Sequence, residues 1–401
     1  MPISFNQTTR TFKLDTATST YMIRVYDQNY ILNLYYGAKI PDVTVPDREM
    51  LSPNASFSAA DPVIGEHGFS PDTAPMEYGT LGAGDMRIAA LAVRNKNGDS
   101  VTDIRYTGHR IYAGKPPIPG QPSTYAEDDG DADTLELYAE DKVTGLKITL
   151  IYTVFSALGV MTRRVRAENG GADPLTLERI YSLCLNLPSM DFDLITLYGR
   201  HTKERNIERR RLAHGVQGVE SRRGVSGHCQ NPFAALAAKN ADEEQGEVYG
   251  FNLVYSGNFS ALCECDFNYT TRLLMGIDPT GFGWHLAPGE AFDTPEAVMV
   301  YTTGGIGELA DFMCSAALVI PAAVIYHRAR AKNAAREDKV ARNRKAALIG
   351  MLVGVVLLVV TSVVTNRFIL LPMYAKFAGM EGIIAMADNP SITSLTTLFI
   401  Y

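Results

Sequence analysis

Tryptophan occurs once in the 401 residues, at Trp284, and the five cysteines include no Cys-x-x-Cys pair. The spacing on which most cysteine metal sites rest is therefore missing. Cys263 and Cys265, two apart in a strand pattern, would share one face, and they read as buried reduced thiols together with Cys184, Cys229 and Cys314. The opening "MPISFNQTTRTFKLDTATST" lacks the charged start, apolar middle and small-residue cleavage site of a secretory signal. That absence predicts a cytoplasmic N-terminal part, in which the sequons at Asn54, Asn258 and Asn268 are ordinary surface asparagines. An excess of positive charge is also missing, since the net charge is −7. The basic run 205–211 is flanked by Glu204 and broken by Glu208, with no aromatic residue interleaved, so nucleic acid is not an expected partner. The acidic stretch "TYAEDDGDAD" (124–133) lacks the alternating ligand spacing closed by a glutamate that a calcium loop needs, and reads as a solvated hairpin loop. No cofactor is expected.

What is present divides in two. At 401 residues the chain has room for two or three domains, and its 46% hydrophobic share is an average over unlike pieces. Up to about Thr303 short alternating runs separated by turn residues dominate, and long helical periodicity is absent. Residues 87–93, Asn97-Gly98 and residues 101–106 predict a hairpin with a type I′ turn. Leu135 and Leu137, then Thr144-Gly145, then Leu146, Ile148, Leu150 and Tyr152 predict a second. Many strands at this spacing give a sandwich. Beyond 303, residues 309–326 and 346–364 are almost entirely apolar, and the second run is uncharged over about the 20 residues that a membrane-crossing helix requires.

The segments "MEYGTLGAGDMR" (76–87), "RYTGHRIYAGKP" (105–116), "ERRRLAHGVQGVESRRG" (208–224), "NPFAAL" (231–236), "GEVYGFNLVYSGNF" (246–259) and "WHLAPGEAFDTPE" (284–296) resemble, in order, the N-terminal domain of α-galactosidases of glycoside hydrolase family 36. The resemblance runs from Met1 to about Thr302 and implies a large β-supersandwich. In that family two carboxyl groups on a following (β/α)₈ barrel carry out retaining hydrolysis of terminal α-galactosides. One aspartate lies in a Lys-Trp-Asp strand motif and the other in a Gly-rich segment with Arg-x-Asp. The only tryptophan here stands in "WHLAPGE", and no Gly-rich Arg-x-Asp segment occurs. Fewer than about 100 residues follow Thr303, against about 250 for a barrel, so no (β/α)₈ barrel and no catalytic residue are expected in these residues. The resemblance further implies support of oligomerisation, either as a homo-oligomer or with a full-length α-galactosidase, and an acidic residue lent to a neighbouring subunit's sugar pocket. Asp61, in "SFSAADP", stands near that position, in a local sequence that departs from the usual Pro-Asn-Pro-Asp. An exposed aspartate with no such role fits it equally. His201 stands where an aromatic residue is commoner.

The C-terminal runs resemble part of the substrate-binding subunit of energy-coupling-factor vitamin transporters, closest to the riboflavin type, with "TNRFILLPMYAK" (365–376) the most specific stretch. The resemblance implies two of six transmembrane helices and a vitamin contact at Asn366, for which interfacial anchoring is the alternative. Eight basic residues (Arg328, Arg330, Lys332, Arg336, Lys339, Arg342, Arg344 and Lys345) against Glu337 and Asp338 make the intervening loop cytoplasmic by the positive-inside rule. The sandwich is also expected in the cytoplasm, and one spanning helix cannot keep both ends on one side. The sequence thus reads as a mainly β supersandwich over 1–303, a seam at 304–308 and a membrane fragment over 309–401, as a chimeric gene would produce. The alternatives are a membrane-tethered carbohydrate-binding or assembly module and a riboflavin-binding membrane protein fragment.

Overall fold

The computed structural model describes residues 2–41, 69–126 and 128–309. Strands β1 (Ile3–Asn6), β2 (Thr11–Asp15), β3 (Ser19–Val25) and β4 (Ile31–Ala38) form an antiparallel meander in chain order. After β5 (Leu91–Arg94) and β6 (Arg105–Ala113) come β7 (Asp133–Glu140), β8 (Leu146–Phe155), β9 (Val160–Asn169) and the long β10 (Leu175–Leu187). The middle of the chain supplies β11 (Phe192–Arg200), β12 (Lys203–Arg211), β13 (Gly215–Ser221), β14 (Gln230–Ala238) and β15 (Val248–Val254). The last are β16 (Phe259–Cys265), β17 (Thr271–Ile277), β18 (Trp284–Leu286), β19 (Ala291–Asp293) and β20 (Glu296–Thr302).

Two larger sheets join the meander. One runs β13-β16-β17-β10-β18, with β5 also paired to β10. The other runs β12-β11-β14-β15-β20-β9-β8-β7-β6, with β19 beside β9. A large apolar core takes residues from all three sheets, and a smaller cluster gathers Met22, Leu32 and Leu34 of the meander with Phe69. Alternation explains how: Leu146, Ile148, Leu150, Tyr152 and Val154 of β8 are all buried and lie on one face. Opposite them in register stand Ala139, Leu137 and Leu135 of β7. Burial rather than intrinsic preference fixes that register, because a one-residue slip would turn every one of these side chains outward.

The β7–β8 hairpin forms as its alternation predicts. The one predicted at Asn97-Gly98 does not. Only Gly98 has positive φ, at 90°, and the Gly98 N–H donates to the Asn95 carbonyl while the Asn95 N–H donates to that of Asp99. That is a three-residue loop with glycine at its left-handed position, not a type I′ turn. The flanking segments part company: β5 pairs with β10, and the Thr102 N–H donates to Leu81. Pro232 sits within β14, where the pairing with β11 shifts register between Thr196 and Tyr198, a place where a missing N–H is tolerated. The acidic stretch lies between paired β6 and β7, with Asp128, Asp129 and Asp131 exposed.

Residues read as the seam are bonded to the sandwich. The N–H groups of Gly305, Ile306 and Gly307 donate to the carbonyls of Gly246, Asp242 and Glu243, and Leu309 is buried. Among the described residues no helix is long and apolar enough to cross a membrane. The second apolar run, and the first beyond Leu309, lie outside the described residues.

Truncation of Leu150 to alanine should lower stability by about 2–5 kcal/mol, whereas Val143→Ala, at an exposed turn, should stay within about 0.5 kcal/mol of the parent. Urea midpoints of the two variants check the contrast.

Candidate functional site

Among the described residues, buried charged groups concentrate on residues 69–88, a stretch without a regular strand that contains the motif "MEYGTLGAGDMR". Glu77 is fully buried. Its Oε1 accepts from the Tyr21 hydroxyl of β3 at 2.8 Å and the Tyr152 hydroxyl of β8 at 2.6 Å, and pairs with Arg163 Nη1 of β9 at 2.8 Å. Arg163, equally buried, also donates to the Cys184 carbonyl of β10 and to the Glu77 carbonyl. Its guanidinium lies 5.1 Å from the ring centre of Tyr152 and 5.7 Å from that of Tyr78. Burial raises the Glu77 carboxyl above the usual range, against the pull of Arg163 and the two hydroxyls.

Asp85 closes a second network eight residues on. Its Oδ2 accepts from Arg272 Nη2 of β17 at 2.6 Å and its Oδ1 from Arg87 Nε at 2.9 Å. Arg87 donates onward to the carbonyls of Pro71 and Ala74, and Arg272 to Asn186 Oδ1 of β10 and the Ile88 carbonyl. Burial alone raises the Asp85 carboxyl, but the Arg272 and Arg87 guanidiniums outweigh it and hold Asp85 below the ordinary range. Gly79 is required here, because a Cβ would come within 2.7 Å of Asp85 Oδ2 and 2.8 Å of Arg272 Nη1. A third buried pair, Lys115 Nζ to Glu296 Oε1 at 2.8 Å, ties the β6–β7 connection to β20.

These acids can bind and orient chain but cannot reach a substrate. Three of the cysteines are poor nucleophiles as well: Cys184, Cys263 and Cys265 are free and buried, and burial pushes their thiols up, away from the reactive thiolate. Among the described residues no group of three or more His, Cys, Asp or Glu side chains is placed to hold a metal ion. Trp284 is half-exposed on β18, with its ring 5.0 Å from Phe292, and His201 projects into solvent beside Glu204. Asp61 and Asn366 lie outside the described residues. The interior arginines escaped the sequence reading, although one signal was available. Arg163 shares its strand face with Met161, Val165 and Ala167, so a charge stands at an inward position.

Residues 29–287 match the Glycosyl hydrolase family 36 N-terminal domain. The chain belongs to that family. It is 45% identical over 306 residues to the α-galactosidase AgaA of Geobacillus stearothermophilus, covering 76% of this chain and 42% of that one. Over 309 residues it is 36% identical to α-galactosidase 1 of Pediococcus pentosaceus, covering 77% of this chain and 42% of the relative. Its fold is similar to that of the α-galactosidase AgaB of Geobacillus stearothermophilus, with a TM-score of 0.73 at 46% identity, over 76% of this chain and 42% of that one. The chain spans less than half the length of these relatives.

Because its folded value lies below the unfolded one, Asp85 contributes stability that is complete above about pH 3.9 and lost as pH falls through the folded value. Asp85→Asn should therefore cost about 3–5 kcal/mol at neutral pH and flatten the acid limb of the stability curve. Urea midpoints followed from neutral to acid pH measure both effects.

Proposed function

We propose that residues 1–303 are the non-catalytic β-sandwich part of an α-galactosidase, and that the 401-residue chain does not hydrolyse α-galactosides by itself. The observation that carries this reading is the engagement of the interior acids: Glu77, Asp85 and Glu296 are each paired with a buried arginine or lysine. Retaining hydrolysis needs two carboxyl groups about 5–5.5 Å apart across the scissile bond, one free to attack and one free to exchange a proton. Locked acids can do neither. Trp284, the single tryptophan, is followed by His285, so the Lys-Trp-Asp motif of the family's barrel has no counterpart in this sequence.

In this reading the sandwich supports assembly, with itself or with a full-length α-galactosidase, and presents Asp61 to a neighbouring sugar pocket. The flanks of the segment that carries Asp61 are well held. On one side the Ile40 carbonyl accepts from Lys13 Nζ and its N–H donates to Thr20 Oγ1. On the other, Phe69 packs between Tyr26 and Tyr30, with ring centres 5.0 and 4.7 Å away. For 309–401 the proposal is a membrane-helical fragment of vitamin-transporter type, with Asn366 as its vitamin contact. Its support is the uncharged run 346–364 and the resemblance of "TNRFILLPMYAK".

Purified full-length chain should give no turnover of an aryl α-galactoside, and turnover at ordinary enzyme rates would overturn the proposal. Alkaline extraction of membranes from expressing cells tests the C-terminal part, which should stay in the pellet.

A further inference from the structure

On the outer face of the largest sheet, β7, β8 and β9 floor an open groove of about 340 Å³, within the range of about 300–1,000 Å³ usual for small-molecule sites. Its two walls carry opposite charge. On one side Glu136 accepts from the hydroxyls of Tyr112 at 2.8 Å and Tyr138 at 2.6 Å. Burial, reinforced by the Glu136 carboxylate, pushes the Tyr138 hydroxyl up to about 12, so it stays protonated and holds the acid in place. On the other side Arg164 Nη1 and Arg166 Nη1 donate to the two oxygens of Asp293, at 2.5 and 2.6 Å.

The roof is part of the β6–β7 connection, where Pro117 and Pro119 line the groove. That connection is fastened beyond both prolines. Lys115 pairs with Glu296, the Gln121 side-chain amide donates to the Asp293 carbonyl, and Thr124 donates through its N–H and its hydroxyl to Glu296 Oε2. The groove is thus preformed, and a ligand would not have to order its roof.

The chemistry of the lining selects the ligand class. Two guanidiniums face two carboxylates, so neither an anion nor a cation is favoured over water. Asp293 uses one N–H of each arginine, and among the described residues no other acceptor takes a hydrogen bond from Arg164 or Arg166. Glu136 keeps acceptor capacity beyond its two hydroxyl partners, and the Thr149 hydroxyl on the floor has no protein partner among the described residues. Donors and acceptors therefore remain on opposite walls around a neutral centre, beside the ring of Tyr138 and two proline rings. A ligand that offers several hydroxyl groups and one apolar C–H face meets all of these.

We infer that this groove is a saccharide-binding site. It stands on the groove alone and goes beyond the α-galactosidase reading. The test is titration of the purified full-length chain with raffinose and with methyl α-galactoside, followed by saturation-transfer NMR and calorimetry. At least one of the two sugars should bind. Arg166→Ala and Tyr138→Ala should each weaken binding about tenfold or more, Thr149→Val several-fold, and Val143→Ala, remote from the groove, not at all. Unchanged thermal melting of Thr149→Val keeps the test valid should a larger substitution unfold the sheet. Failure of both sugars to bind, binding that survives Arg166→Ala and Tyr138→Ala, or tighter binding of a zwitterionic amino acid would each overturn the inference. None of these readouts depends on hydrolysis, so failure here is distinct from failure of the α-galactosidase reading.

Discussion

The ion pair between Glu77 and Arg163 is the constraint on which the rest of the sandwich depends. Both side chains are wholly inaccessible to water, and stripping two such charges of solvent costs several kcal/mol each. Their mutual attraction offsets that cost only with further hydrogen bonds, which is why Tyr21, Tyr152 and the Cys184 carbonyl converge on them. The partners come from β3, β8, β9 and β10, so one network spans all three sheets. Removing either charge leaves the other buried and uncompensated, and the penalty falls on every element that it touches.

The reason for so costly a device lies in residues 69–88. A strand is held in a sheet by its backbone ladder, but chain that runs over a sheet without joining it has no ladder to offer. Side chains must supply the attachment. Glu77 fastens this segment to the core between the sheets, and Asp85, through Arg272, fastens it again to β17. Backbone bonds complete the seating, from Asn33 N–H to the Pro75 carbonyl and from Glu77 N–H to the Ile31 carbonyl. Gly79 lies between the two anchors because nothing larger fits beneath Arg272.

What the sequence disclosed follows the same division. Strands with one wet face were legible, since the alternation in β7 and β8 is itself the burial pattern. The Asn97-Gly98 segment misled because a turn signal is local while strand choice is not. The apolar residues that end in Val93 prefer the long edge offered by β10, more than eighty residues away. Pairings such as β10 with β17 leave no local mark at all. The 69–88 segment was visible only through family resemblance, for its order comes from partners on many strands rather than from any period of its own. Groove residues were harder still: Glu136, Arg164 and Asp293 look like ordinary outward charges until the β6–β7 connection is placed above them.

That connection repeats, at the surface, the solution found in the core. Lys115 and Glu296 are nearly as buried as Glu77 and Arg163, and they too attach non-strand chain to a sheet face. The outcome differs because of what lies beneath. Under 69–88 the space is filled by aromatic and aliphatic side chains, so the segment becomes part of the core. Under residues 115–124 the sheet presents charged and hydroxyl-bearing residues, which an apolar roof cannot cover without losing their hydration. A roof fastened by a buried ion pair at its start and by Thr124 further along must therefore leave a wet gap, and the groove is that gap.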